Sequence, residues 1–225
     1  VPTLGLAFDY RGNPSKYPIM FASFLNKDKD RFVRTPISLI TLLECSAVIQ
    51  ELKTQYEYSK YIKDKAEKAD FYAQVEKTYK SLVYDRNMTE YSACFHLVAN
   101  KLRSKDLAQI TTICEVLIEL CLNFTKENFQ KIANIANKFP PGDFSEKLKI
   151  GLKNQNRGML FFSLNHFFVN TVQMDKKGFI RELDKYFKDY NLSYSQVMRA
   201  AELEIDHQLK SIKEGNFPEF DLIAK

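Results

Sequence analysis

From Thr89 to Phe139 the apolar residues recur at intervals of three and four, and no Gly or Pro interrupts them. That spacing belongs to helices that bury one face, and it limits the chain more than any other feature. Tyr91, Cys94, Phe95, Val98 and Leu102 make one stripe. Leu107, Ile110, Cys114, Leu117, Ile118, Cys121 and Leu122 make a second, and Phe129, Ile132, Ala133, Ala136 and Phe139 a third. Thr89, Ser104 and Thr125 are read as the caps that open these helices.

The rest of the chain extends the pattern. There are 7 Gly and 7 Pro in 225 residues, too few for the many tight turns of a sheet protein. Thr35-Pro36 reads as an N-cap followed by Pro at the first helical position, opening a helix from Ile37 to Leu52 that is apolar on nearly every face and therefore buried. Residues 1–34, punctuated by Gly5, Gly12, Pro14 and Pro18, are expected to be an irregular arm. Pro140-Pro141-Gly142 separates a first helical lobe, 35–139, from a second, 143–225, unless the two form one continuous domain. The expectation is an all-α fold, a helical bundle or irregular helical array of about eight helices with short connections.

Composition removes several classes of function. Hydrophobic residues at 45% and charged residues at 27% describe an ordinary folded chain, large enough to bury a core. No GxGxxG, GxxxxGK[ST] or GxSxG motif occurs, so the common phosphate loops and the nucleophile elbow are missing. Three of the four Cys, at 94, 114 and 121, fall on apolar stripes, where a thiol behaves as a small hydrophobe. Cys94-x-His96 with Cys114 and Cys121 fits no tight zinc knuckle. Glu204-x-x-His207 lacks the second such pair that a di-iron bundle needs. The reading therefore includes no metal, no cofactor and no catalytic residue. No long apolar run suggests a membrane span, and Val1 to Ala7 has no basic leader region, so the expectation is a cytoplasmic or otherwise reducing compartment.

Two patterns remain. Ser163, His166 and Asn170 lie at i, i+3, i+7 on the otherwise apolar segment 157–172, a polar stripe that either satisfies itself in the core or lines a polar pocket. The net charge is +5, and basic residues gather at Lys147, Lys149, Lys153 and Arg157, with Lys101 and Arg103 as an extension; Lys105 is a further candidate. Lysines in such a stretch contact phosphates without reading sequence. Segment 179–201 also has the outline of a helix-turn-helix, with Asn191 in the turn and Ser193 capping the second helix. Its acidic continuation (Glu202, Glu204, Asp206) favours a plain helical hairpin.

The function expected is a non-enzymatic helical binding module that contacts nucleic acid, RNA or DNA, within a ribonucleoprotein- or capsid-like assembly. Residues 1–34 would dock on a protein partner or a second copy, because a segment without its own core gains order by packing on a neighbour. The alternatives are a protein–protein scaffold without nucleic acid and, third, an enzyme built on the His166 stripe.

Overall fold

A computed structural model describes residues 2–6, 11–25, 28, 31–167 and 175–213. Among them the fold is mostly helical, as the periodicity predicts, with a small three-stranded sheet. The strands are β1 (Pro2–Gly5), β2 (Ile19–Leu25) and β3 (Arg31–Pro36). The helices are α1 (Leu39–Tyr58), α2 (Lys65–Val83), α3 (Thr89–Leu102), α4 (Leu107–Asn123), α5 (Lys126–Ile132), α6 (Asp143–Lys153), α7 (Arg157–Phe167), α8 (Lys176–Phe187) and α9 (Tyr194–Lys213), with short 3-10 turns after α1, α5 and α8.

The sheet corrects the reading of residues 1–34 as irregular. Strand β2 is central and antiparallel to both neighbours, with Pro2 opposite Ala22 and Phe21 opposite Pro36. Met20, Phe21 and Ala22 are buried, and β2 packs on α7 while β3 packs on α3. The segment therefore does have a share in the core, which removes the reason for expecting it to dock elsewhere. Its residues Ile19 to Ala22 are consecutively apolar, so the two-residue alternation that betrays a strand is absent.

Helix α1 also differs from expectation. Thr35 lies in β3 and donates its hydroxyl to that of Thr89 at 2.7 Å; the cap of α1 is Ser38, which accepts from the Thr41 amide at 3.3 Å. One face of α1 is buried through Leu42, Cys45, Val48, Ile49 and Leu52, but Leu39, Ile40 and Leu43 are exposed. Caps elsewhere follow the sequence more closely. Thr125 opens α5, Asp175 opens α8, and Asn191 ends the α8 hairpin in the left-handed conformation with φ 53°. Asp106, rather than Ser104, caps α4, and Thr89 is the first residue of α3 rather than its cap.

One hydrophobic core runs from Met20 to Val197 and includes both sides of Pro140–Gly142. Helix α4 lies at its centre, touched by α1, α3, α7, α8 and α9. Across its outer edge, Glu115 accepts from Lys53 (2.8 Å) and Lys176 (2.9 Å). Lys176 also reaches Glu119 at 3.3 Å, and Tyr194 donates its hydroxyl to Glu119 at 2.7 Å. Burial pushes the Glu115 carboxyl up, but the two lysines outweigh it and hold the group below its ordinary range. The network ties α1, α8 and α9 to α4.

Two residues at the start of α7 fix its position. Gly158 sits where any Cβ would collide with the Ile37 carbonyl, so the close approach of α7 to the β3–α1 junction requires glycine. Gly158→Ala is expected to lower the unfolding free energy by about 3 kcal/mol in urea titrations followed by circular dichroism, because backbone must shift to admit the methyl group. Arg157→Ala should cost about 2–3 kcal/mol in the same titration, since it strips the carbonyls of Cys121 and Phe124 of a charged donor.

Candidate nucleic-acid interface

Two of the basic residues grouped by sequence, Arg157 and Lys147, are engaged within the fold. Arg157 turns inward: Nη1 donates to the carbonyls of Cys121 and Phe124, the latter at 3.2 Å, and the guanidinium lies 5.8 Å from the Phe129 ring centre. Lys147 is paired with Asp143 at 2.6 Å, one turn back on α6. Lys149 and Lys153 have no carboxylate partner among the described residues, and Lys153 is exposed. Lys101 and Arg103 belong to the end of α3, and α7 packs against both α3 and α6.

The polar stripe separates as well. Ser163 is fully buried and donates to the Met159 carbonyl in its own helix at 2.8 Å. His166 is exposed, its ring resting among Phe139 (4.7 Å between centres), Phe162 (5.7 Å) and Phe167 (5.2 Å). Asn170 lies outside the described residues. The amide that does bridge elements here is Asn165, buried and donating to the Leu97 carbonyl of α3 at 3.3 Å. Sequence reasoning passed over it because its neighbours looked more chemical.

The cysteines lie in the core. Burial pushes the thiols of Cys94, Cys114 and Cys121 up, which keeps them protonated, and a protonated thiol is a poor nucleophile and metal ligand. Among the described residues no three His, Cys, Asp or Glu side chains converge as metal ligands would. No single described helix is long and apolar enough to cross a membrane.

The best-formed concave surface near a cationic cluster is a groove of about 660 Å³ between β2 and the end of α3. Ala22 to Leu25 form one wall, His96, Leu97, Ala99 and Asn100 the other, and Arg103, Ser104 and Lys105 close one end. Local rules build that end. Helix α3 stops at Leu102, and Arg103 takes the left-handed conformation with φ 52°. The Ser104 amide then returns to the Ala99 carbonyl at 3.2 Å, satisfying a helix end in the usual left-handed closure. Ser104 Oγ accepts from the Asp106 amide at 3.1 Å, and the Asp106 carboxylate accepts from the amides of Ala108 and Gln109 in the first turn of α4. A tight corner thus presents Arg103 and Lys105 outward while Asp106 is occupied by backbone. Among the described residues, Lys101, Arg103 and Lys105 have no carboxylate partner.

Phe24 and His96 put aromatic rings on the same groove, and Tyr84 lies against His96. His96 meets Phe24 edge-on at 5.2 Å and Tyr84 at 5.6 Å, and Tyr84 is 68% exposed. His96 Nε2 lies 2.8 Å from the Val83 carbonyl, so this nitrogen carries the proton and donates. Burial lowers the His96 pKa, and the hydrogen bond offsets only part of that. His166 is lowered too, first by partial burial and then by the charge of Lys101. A histidine whose pKa falls on folding binds protons more readily in the unfolded chain. Its stabilising contribution is complete above the unfolded value and is lost as pH drops through the folded one. Unfolding free energy is therefore expected to fall as pH drops below about 7, and urea titrations of His96→Gln should show a shallower fall.

No family model matches the chain, and comparison with curated proteins and with solved structures finds no similar one.

Proposed function

We propose that this chain is a non-enzymatic binding module that holds single-stranded nucleic acid, with phosphates on Arg103, Lys105 and Lys101 and a base against the exposed Tyr84 ring. The observation that carries the reading is the juxtaposition at the end of α3. Cations without carboxylate partners among the described residues line a groove together with the rings of Phe24 and His96, and the exposed Tyr84 ring stands against His96. Positive groups that track a backbone, together with aromatic faces that accept any base, are the two components of sequence-tolerant single-strand binding. Lys149 and Lys153 on α6 offer further phosphate contacts. Arg157 is left out because its donors are occupied, and Lys147 because its charge is balanced.

Arg103 offers a direct test. A non-glycine residue in the left-handed region costs about 1 kcal/mol, so Arg103→Gly relieves strain at the corner and should leave the melting temperature equal or higher. The same change removes a phosphate contact. Fluorescence anisotropy with single-stranded RNA and duplex DNA, titrated in salt, is expected to show weaker binding by Arg103→Gly and by Lys105→Gln. The slope of log K against log salt should drop by about 1 for each. Tyr84→Ala should weaken single-strand binding about tenfold with the slope unchanged, as expected for loss of stacking alone. Absence of binding by the wild-type chain at low salt rejects the reading and leaves a protein–protein scaffold. That second reading has its own support in the exposed apolar residues of α9.

A further inference from the structure

The chain carries three histidines, and the fold puts one of them, His96, in the wall of the groove between β2 and the end of α3. Its half-buried ring is held between the rings of Phe24 and Tyr84. A backbone carbonyl only accepts, so the 2.8 Å contact with Val83 fixes one proton on Nε2. The lone pair of Nδ1 is then the place where a second proton adds, and Nδ1 has no hydrogen-bond partner among the described residues. The charged groups that face this ring have one sign. Strand β2 brings Ser23 and Phe24 to the groove and no charge, and the end of α2 brings the Val83 carbonyl and the Tyr84 phenol. The end of α3 and the corner after it bring Arg103 and Lys105. Arg34 of β3 is stacked on Phe21 at 3.7 Å, and Asp85, in the turn between α2 and α3, accepts from the Asn87 amide at 2.8 Å. Among the described residues, no carboxylate lines the groove.

We infer that His96 makes this groove a proton-linked site: a single strand lying in it draws a solvent proton onto Nδ1, and binding tightens as pH falls. The inference rests on the single-strand reading above and adds its regulation. In the free chain a positive charge on the ring is opposed twice, by partial burial and by Arg103 and Lys105 in the same groove. A phosphate backbone reverses that balance. It neutralises the two cations and sets anionic oxygens where the new Nδ1 proton can be donated to them. The bound chain therefore holds the proton more tightly than the free one. Linkage requires the converse, that the protonated chain holds the strand more tightly than the neutral one. The gain is complete at pH values below both titrations and vanishes above that of the bound chain.

The test is fluorescence anisotropy of the full chain with an oligouridylate or oligothymidylate, whose bases keep their protonation state across the range. Ionic strength is held constant and circular dichroism at each pH confirms that the chain is folded. From about pH 8 to about pH 6 the wild-type affinity is expected to rise at least about fivefold, the low end of couplings between two bound species. The slope of log K against log salt should steepen by up to about 1 at the lower pH, for one added charge. His96→Gln should lose both responses. His166→Gln and His207→Gln should keep them; His166 is the rival source, because the charge of Lys101 acts on it. A second measurement needs no variant: the His96 ring proton resonance of the wild-type chain should titrate at higher pH with the strand bound than without. Three results overturn the inference. One is a pH response that persists in His96→Gln; another is a response lost in His166→Gln, which places the proton beside Lys101. The third is a His96 resonance whose titration the strand does not move. Binding without any pH response rejects this inference and leaves the single-strand reading standing, whereas absence of binding at every pH in low salt rejects both.

Discussion

A helix enclosed by other helices cannot leave its last carbonyls to water, and α4 is such a helix. Five neighbouring helices touch it, and its residues Ile113 to Cys121 are buried apart from Glu115 and Glu119. The carbonyls of Cys121 and Phe124 at its end are met by one guanidinium, that of Arg157. A guanidinium suits this place because its planar fork can serve two acceptors at once and remains charged when partly buried. The contact also sets where α7 begins, and the next residue, Gly158, lets α7 approach Ile37.

Helix existence was legible because it depends on local periodicity, and the stripes through Cys94, Cys114 and Phe129 are buried in the core or, at Tyr91, Leu102, Leu107 and Leu122, partly buried against it. Caps were legible where one hydroxyl or carboxylate had no competitor, as at Thr125 and Asp175. At the start of α4 both Ser104 and Asp106 could serve, and Ser104 is used one step earlier, to hold the Asp106 amide. What escaped was set by tertiary packing. Strand β2 lies against α7, so its residues are apolar in succession and carry no alternation. Helix α1 was read as buried all round because nothing in a sequence tells which apolar residues find a partner.

The candidate site shows the same division. Arg103 was identified as a cation, but its left-handed backbone and its place at the mouth of a groove are products of how α3 ends. In the sequence His96 stands out as a metal-ligand candidate with Cys94, two residues before it. In the fold the two are adjacent in sequence space yet serve different ends, Cys94 facing the core and His96 joining the rings of Phe24 and Tyr84. The signal that could have found the site was the corner itself: Lys101, Arg103 and Lys105 precede the Asp106 cap, and a chain that turns sharply between two helices must expose alternate residues.

Local rules and global fold agree over most of this chain, which makes the disagreements informative. Glycine is the residue that the end of α3 asks for, and arginine stands there at a cost in backbone energy. The core gains nothing in return, because Arg103 is exposed and has no carboxylate partner among the described residues. In α9, two turns of anchored helix would complete the packing on α4 and α8, yet the apolar stripe continues past the point where the body ends. In both places the sequence departs from what stability alone requires, once toward exposed charge and once toward exposed apolar surface. Exposed charge beside aromatic rings suits a polyanion, whereas the continued apolar stripe is helix surface that the body does not cover.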